Sequence, residues 1–190
     1  KEREVCKRLA RVFDRYEEIG VRERISQGLL REYTDKTINL DKDPTLMVDK
    51  SIWESICIKD KMIKEPYVLC YCLGTIRPYS LLFKEISEKY RAAFYYIPTN
   101  LFNEGKYVFM NPIFNAGIEE FVSLVKNAVA VCTDSYHGVI MAHTFEKDCY
   151  CIKRSGNGAE RYGGETRINT LRDEYHIPLR WIKCRKDLEE

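Results

Sequence analysis

The chain has 190 residues, which is enough for one domain or for one domain with part of another. Its 45% hydrophobic and 32% charged residues are typical of a globular protein in water. The 31 basic and 29 acidic residues leave a net charge of +2, which argues against a nucleic-acid or membrane-surface protein. Binding of an anion would therefore depend on a few well-placed cations.

The start of the chain and its apolar runs bear on where the protein works. No apolar run approaches the roughly 20 residues of a membrane helix. Residues 1–16 form a charged amphipathic helix pattern and not a signal peptide. Lys1 is not an initiator methionine, so we expect an upstream portion of the parent protein to precede it.

The eight cysteines are predicted to be reduced. A single residue separates Cys70 from Cys72 and Cys149 from Cys151, which is not the spacing of zinc ligands. These four cysteines and Cys132 lie in apolar runs, as small buried hydrophobic residues do. A reducing cytoplasm is the location that this predicts.

Short, alternating elements are predicted over the first third of the chain. The pattern predicts a helix within 1–18, a strand at 19–21, a helix at 26–33, a strand at 38–40, a turn at 43–45 and a connecting segment at 49–65. Ser26 is the predicted N-cap of the second helix, with Leu29 and Leu30 facing inward.

The rest of the chain alternates more clearly between strands and helices. Strands are predicted at 67–73, 94–97, 128–132 and 149–152, helices at 79–90, 118–127, 137–145 and 168–175, and a loop at 99–116. The strands at 67–73 and 128–132 are continuous apolar runs, which suit burial on both faces. The alternation predicts an α/β fold with a Rossmann-like, doubly wound parallel sheet.

Residues 133–138, Thr-Asp-Ser-Tyr-His-Gly, are the first candidate site. They follow a predicted buried strand and open a helix, where ligands bind in open α/β sheets. Unpaired N–H groups there suit a phosphate or carboxylate, and Gly138 would let a ligand approach the backbone. The alternative is that Asp134 or Ser135 caps the helix and that His137 is structural. Position alone does not decide between the two interpretations.

Two further segments place cations after predicted strands. Arg22 follows the strand at 19–21 and could bind a phosphate or carboxylate, although residue types favour a surface ion pair with a glutamate. Residues 153–167 hold four glycines and four cations, typical either of a loop that brings cations to an anionic substrate or of an ordinary surface loop. Neither a P-loop nor a GxGxxG motif is present.

The order of these segments resembles the polysaccharide pyruvyl transferase family. The matching segments are residues 19–23, 43–45, 53, 67–73, 127–128, 133–138 and 167–171. The resemblance spans residues 16–182 but only about the second half of a family member. It implies the C-terminal part of a glycosyltransferase-B-like enzyme with two Rossmann-like domains. Residues 1–60 would end the N-terminal domain and include the crossing segment, and residues 61–190 would form the C-terminal domain.

The resemblance also implies an activity, which is transfer of pyruvate from phosphoenolpyruvate to a sugar diol as a ketal. His137 matches the catalytic histidine, and Arg22, Ser135, His137, Gly138 and Arg167 would bind phosphoenolpyruvate. The acceptor would be a sugar or lipid-linked oligosaccharide in polysaccharide or exopolysaccharide biosynthesis. No metal or cofactor is expected, and the enzyme would be cytoplasmic or at the inner face of the membrane. A homo-oligomer is compatible with the sequence. The resemblance does not imply that this part of the enzyme is active by itself.

Two other functions remain open on the sequence. A glycosyltransferase of the same fold would use the helix N-terminus to bind the diphosphate of a nucleotide sugar. A non-catalytic glycan-binding domain would bind sugar without needing His137 or Arg22.

Overall fold

The structure is a computed structural model that describes residues 2–99, 109–155 and 164–189. The chain divides into two compact units, Lys1–Val48 and Asp49–Glu190. The predicted N-terminal part, residues 1–60, was expected to include the crossing segment, and that domain assignment stays a prediction. Within the second unit the backbone N–H of Ile58 donates to Ser123 Oγ at 2.8 Å.

The first unit contains helix α1 (Glu2–Phe13), strand β1 (Ile19–Val21), helix α2 (Arg24–Arg31) and strand β2 (Ile38–Leu40). The two strands pair in parallel, and Ile19 and Ile38 are their buried residues. The predicted strands and the first helix are confirmed.

Two details of α2 were predicted wrongly. The helix begins at Arg24 after an extended Glu23, so Ser26 lies within it and donates its hydroxyl to the Glu23 carboxylate at 3.4 Å. Leu29 is 49% exposed, and α2 buries none of its side chains. The chain turns helical almost directly after β1, two residues before the serine that resembled a cap.

The second unit begins with helix α3 (Lys50–Ser55), strand β3 (Tyr67–Tyr71), helix α4 (Ser80–Tyr90) and strand β4 (Ala93–Tyr96). It continues with strand β5 (Met110–Pro112), helix α5 (Ile118–Asn127), strand β6 (Ala130–Thr133) and helix α6 (Tyr136–Thr144). Strand β7 (Asp148–Cys151), helix α7 (Gly164–Tyr175) and strand β8 (Arg180–Trp181) complete it.

Six strands form one parallel sheet in the order β5-β4-β3-β6-β7-β8. The chain starts at the centre with β3, runs outward to β5, and returns to add β6 on the other side of β3. The α/β class and the doubly wound parallel sheet are thus confirmed. The order reverses between β3 and β6, and a crevice at the carboxyl ends of these two strands is where such sheets bind ligands.

The two central strands are buried on both faces, as their apolar runs predicted. Every residue of β6 is buried, and Val68 and Leu69 of β3 have no exposed surface. One face packs on α4 through Phe83 and Ile86. The predicted cysteine burial holds for Cys70, Cys72, Cys132 and Cys151, whereas Cys149 is half-buried.

Strands β5 and β8 were not predicted. Both lie at edges of the sheet, and neither is an apolar run: β5 is Met-Asn-Pro, and β8 has two residues. An edge strand has one neighbour and one exposed side, so its sequence carries a weak pattern. In the described residues no helix is long and apolar enough to cross a membrane.

Candidate active site at the carboxyl edge of the sheet

Asp134 joins the loops that follow three neighbouring strands. Its two carboxylate oxygens accept hydrogen bonds from the backbone N–H groups of Leu73, at 2.6 Å, and Gly74, at 2.8 Å. Arg154, after β7, places its Nε 3.4 Å from the same carboxylate and donates from Nη2 to the Asp134 carbonyl at 3.0 Å. Asp134 is 2% exposed. It therefore holds together the loops at the switch point, the place between β3 and β6 where the strand order reverses, and its carboxylate is turned away from solvent.

Thr133 and Ser135 fix the start of α6. Thr133 Oγ1 donates to the Tyr71 carbonyl at 2.5 Å and accepts from the Ser135 N–H at 3.0 Å. Ser135 is the N-cap, since its Oγ accepts from the Gly138 N–H at 3.4 Å. The capping interpretation of Ser135 is thus observed. Its predicted contact with substrate stays a prediction.

Gly138 is required by packing. A Cβ at this position would collide with the Thr133 side chain, because α6 lies directly on the end of β6. Gly138 is also buried. Its missing side chain allows the close approach of Thr133. The predicted approach of a ligand to the Gly138 backbone stays a prediction.

His137 and Arg167 both contact the ring of Tyr136. His137 is exposed on the first turn of α6, with its ring nearly perpendicular to that of Tyr136 and the centroids 5.4 Å apart. The Arg167 guanidinium carbon lies 5.3 Å from the Tyr136 centroid, within the range of a cation–π contact. Tyr136 itself is 6% exposed. Two predicted site residues from α6 and α7 are thus brought to one place by a buried aromatic ring.

Arg22 lies in the first unit and pairs with Asp43. Arg22 Nη1 bonds one oxygen of the Asp43 carboxylate, and the Thr45 N–H and hydroxyl donate to the other at 2.9 and 2.6 Å. Burial alone would raise the pKa of Asp43, but the hydrogen bonds from Thr45 and Arg22 outweigh it and lower this pKa. The ion pair was anticipated with an exposed glutamate; its partner is instead a carboxylate that is 1% exposed.

Two residues at the switch point were missed by the sequence analysis. Arg154 lies in the Gly-rich basic segment from which only Arg167 was chosen, and its side chain is 18% exposed. Tyr71 ends β3, and its ring lies 4.6 Å from that of Phe121 on α5. Arg154 directly follows a predicted strand end, so its position was a usable signal. Tyr71 resembled a core residue.

A cavity of about 230 Å³ lies at the opposite edge of the sheet, where β7 and β8 begin. Its polar lining comes from His143, Lys147, Asp148 and Arg180. Burial and the charge of Lys50 lower the pKa of Lys147. None of the site residues that the sequence predicted lines this cavity.

Among the residues that the structure describes, no three His, Cys, Asp or Glu side chains are grouped so as to hold a metal ion.

The sequence pattern of the polysaccharide pyruvyl transferase family matches residues 1–156. The chain belongs to the polysaccharide pyruvyl transferase family. The matched part includes Arg22 and the segment 133–138, and it ends before Arg167.

One solved structure with a similar fold is the UDP-GlcNAc 2-epimerase from Methanocaldococcus jannaschii. The two share 16% sequence identity with a TM-score of 0.44, and the similarity covers 81% of this chain. The chain spans 54% of the epimerase chain. A comparison with curated proteins finds no match.

The matched family is one of transferases. In this member the carboxyl edge of the sheet offers an exposed imidazole at His137, the guanidinium of Arg167 and the N-terminus of a nine-residue helix. An imidazole exchanges protons near neutral pH, and the other two groups attract anions.

Proposed function

We propose that this protein transfers pyruvate from phosphoenolpyruvate to two hydroxyls of a sugar, forming a pyruvate ketal on a polysaccharide or its precursor. Family membership supports the transferase activity. The observation that carries the site is the placement of His137 and Arg167 around the Tyr136 ring, at the N-terminus of α6. The donor and the acceptor are the proposed parts.

The proposed donor carries two anionic groups, and the proposed site is suited to bind them. Phosphoenolpyruvate carries a carboxylate and a phosphate about the central carbon that forms the ketal. The first turn of α6 presents backbone N–H groups and the positive end of the helix dipole. Arg167 supplies a planar guanidinium, which binds carboxylate or phosphate through two parallel hydrogen bonds. In this proposal Ser135 and Gly138 contribute backbone around the anion.

The proposed reaction begins at the double bond of the donor. A proton adds to the methylene carbon, which becomes a methyl group and leaves an oxocarbenium-like central carbon. One sugar hydroxyl attacks that carbon and loses its proton, which replaces the one given to the methylene. The carbon–oxygen bond to phosphate then breaks, and the second hydroxyl closes the ring and loses its proton, which is carried away by the phosphate. Inorganic phosphate is released. His137 is the proposed acid and base because it is the imidazole on the turn that binds the anion.

Arg22 is proposed to bind an anionic group of a substrate from the first unit. Its pair with Asp43 holds one side of the guanidinium, while 37% of the side chain remains exposed. Changing Arg22 should therefore weaken donor binding.

The proposed acceptor is a sugar or lipid-linked oligosaccharide. The proposed place of action is the cytoplasm, including the inner face of the membrane. The proposed reaction uses no cofactor.

The first test compares two histidines of the same helix. Thermal unfolding is followed while phosphoenolpyruvate is added to the unchanged chain, to His137→Ala and to His143→Ala, which alters an exposed histidine in the last turn of α6. Ligand at a hundred times its dissociation constant stabilises the folded state by roughly 2.7 kcal/mol. We expect that stabilisation in the unchanged chain and in His143→Ala, and its loss in His137→Ala.

Equal stabilisation of all three proteins would contradict the role of His137. Stabilisation by a nucleoside diphosphate, with none by phosphoenolpyruvate, would contradict the proposed donor. The protein that includes any upstream portion is measured in parallel, because residues outside this chain can contribute to donor binding.

A further inference from the structure

Arg154 is held at the switch point by a buried acid. Its Nε lies 3.4 Å from the Asp134 carboxylate, and its Nη2 donates to the Asp134 carbonyl at 3.0 Å. Asp134 is itself fixed by the N–H groups of Leu73 and Gly74. The position of this arginine is therefore set by backbone from two loops, and its other terminal nitrogen, Nη1, takes no part in these contacts. An arginine held in this way loses little conformational freedom when it binds an anion.

Tyr71 lies beside the same crevice. It pairs in register with Thr133 across the two central strands, so both side chains lie on the face of the sheet that α5 and α6 cover. Its ring is held against Phe121 with the centroids 4.6 Å apart. The ring is thus held at the carboxyl end of β3, on the face of the sheet where α6 packs on Thr133.

The Tyr71 hydroxyl differs from those of other tyrosines in this unit. The hydroxyls of Tyr67, Tyr79 and Tyr90 donate to Leu124, Lys153 and Asp148. Within the residues that the structure describes, the Tyr71 hydroxyl has no such partner. Burial and the Asp134 charge raise the pKa of Tyr71, and the Arg154 charge opposes them. The phenol is therefore protonated at neutral pH and is a hydrogen-bond donor.

We propose that Tyr71 and Arg154 together bind one anionic group of the donor at the switch point between β3 and β6. This inference rests on the proposed function, because it assigns further residues to the same donor. A molecule with two anionic groups needs hydrogen-bond donors for each of them. His137 and Arg167 lie on α6 and α7, whereas Tyr71 and Arg154 come from the ends of β3 and β7. The two pairs provide separate contacts for the phosphate and the carboxylate.

The test measures dissociation constants for phosphoenolpyruvate by calorimetry at fixed salt and pH. Tyr71→Phe removes one hydroxyl and keeps the ring against Phe121. Tyr95→Phe is its control, because Tyr95 lies on β4 of the same sheet and its hydroxyl donates to Glu65. Arg154→Lys keeps the charge beside Asp134 but loses the planar fork, and Arg154→Gln loses both. Inorganic phosphate and pyruvate are titrated as well, because each carries only one of the two anionic groups of the donor.

We expect Tyr71→Phe to weaken phosphoenolpyruvate binding about tenfold, as is typical for a hydrogen bond to a charged group. Arg154→Lys should weaken it by at least as much and Arg154→Gln by more, while Tyr95→Phe leaves it unchanged. The affinity of either phosphate or pyruvate, and not both, should fall in parallel. If an Arg154 variant unfolds, Tyr71→Phe decides the question.

The possible failures are distinguishable. Unaltered phosphoenolpyruvate affinity in Tyr71→Phe, with binding intact in the unchanged chain and weakened in His137→Ala, contradicts this inference alone. Absence of phosphoenolpyruvate binding by the unchanged protein contradicts the proposed function and this inference with it. Equal weakening of phosphate and pyruvate binding contradicts the assignment to one anionic group.

Discussion

Two of the arginine–aspartate pairs among the described residues have a buried aspartate, and the two lie in different surroundings. In the first unit Arg22 pairs with Asp43, whose carboxylate is 1% exposed. In the second unit Arg154 pairs with Asp134, whose carboxylate is 2% exposed. Asp43 also accepts hydrogen bonds from Thr45 in its own turn, whereas Asp134 accepts them from backbone in the loop after β3, about 60 residues earlier. Each pair joins residues about 20 apart in sequence, but Asp134 in addition holds a third, more distant segment.

The largest expected effect follows from Asp134. Asp134→Asn replaces one acceptor oxygen by an amide that meets a backbone N–H, and it removes the charge beside Arg154. Breaking a buried pair of this kind costs about 3–5 kcal/mol, so the free energy of unfolding should fall by about that amount. Urea denaturation measures the loss. The control is Asp173→Asn, in an exposed pair with Arg172, which should change stability little.

A stability change for Asp134→Asn as small as that of Asp173→Asn would show that the loops do not depend on Asp134. The comparison between the two buried pairs would then lose its basis.

An intermediate effect is expected at Gly138. Gly138→Ala drives a Cβ into Thr133, and such overpacking costs typically about 1–3 kcal/mol. Gly28→Ala is the matched control, since it also lies in a helix but a Cβ there has no heavy atom within 4 Å. Gly28→Ala should stabilise the protein by up to about 1 kcal/mol through helix propensity. Chemical denaturation measures the change in the free energy of unfolding for both variants, which should be a decrease for Gly138→Ala and an increase for Gly28→Ala. A stabilised Gly138→Ala would contradict the packing described for α6.

The smallest effect is expected from the acid dependence of the Asp43 turn. The folded-state pKa of Asp43 is lowered from its ordinary value of 3.8, so unfolding takes up a proton in the window just below that value. The stabilisation is present above pH 4 and is lost as pH falls through the folded-state pKa. The protection factor of the Thr45 amide against hydrogen exchange should therefore fall over that window more than those of amides in β6. Asp43→Asn should remove the acid dependence, and an unchanged profile in that variant would assign it to another group.

The sequence predicted the parts of this structure whose signals are local. Buried parallel strands read as apolar runs, and the Thr-Asp-Ser-Tyr-His-Gly segment after a strand indicated the edge of the sheet that carries the candidate site. The cap at Ser135 follows from residue type, because its hydroxyl bonds an N–H three residues later. Such interactions span one turn and leave a pattern in a single sequence.

The remainder depends on contacts between distant residues. Neither the pairing of Arg22 with Asp43 nor the bonds from Asp134 to Leu73 and Gly74 can be read from spacing, because the fold determines which loops meet. The packing of Gly138 against Thr133 could not be predicted either, since only the structure shows which side chain occupies the space beside it. Tyr71 was missed because a tyrosine in an apolar strand has the same pattern whether it faces the core or a crevice.

The central claim is that His137 delivers a proton to the donor during pyruvate transfer. The most direct measurement is the reaction in D₂O with ¹³C-labelled phosphoenolpyruvate and a sugar acceptor, using the full-length protein and NMR of the ketal methyl group. We expect a methyl carrying one deuterium in the product, formed by the unchanged enzyme and by His143→Ala but not by His137→Ala. Ketal formation at an undiminished rate in His137→Ala, or a product without deuterium, would contradict it.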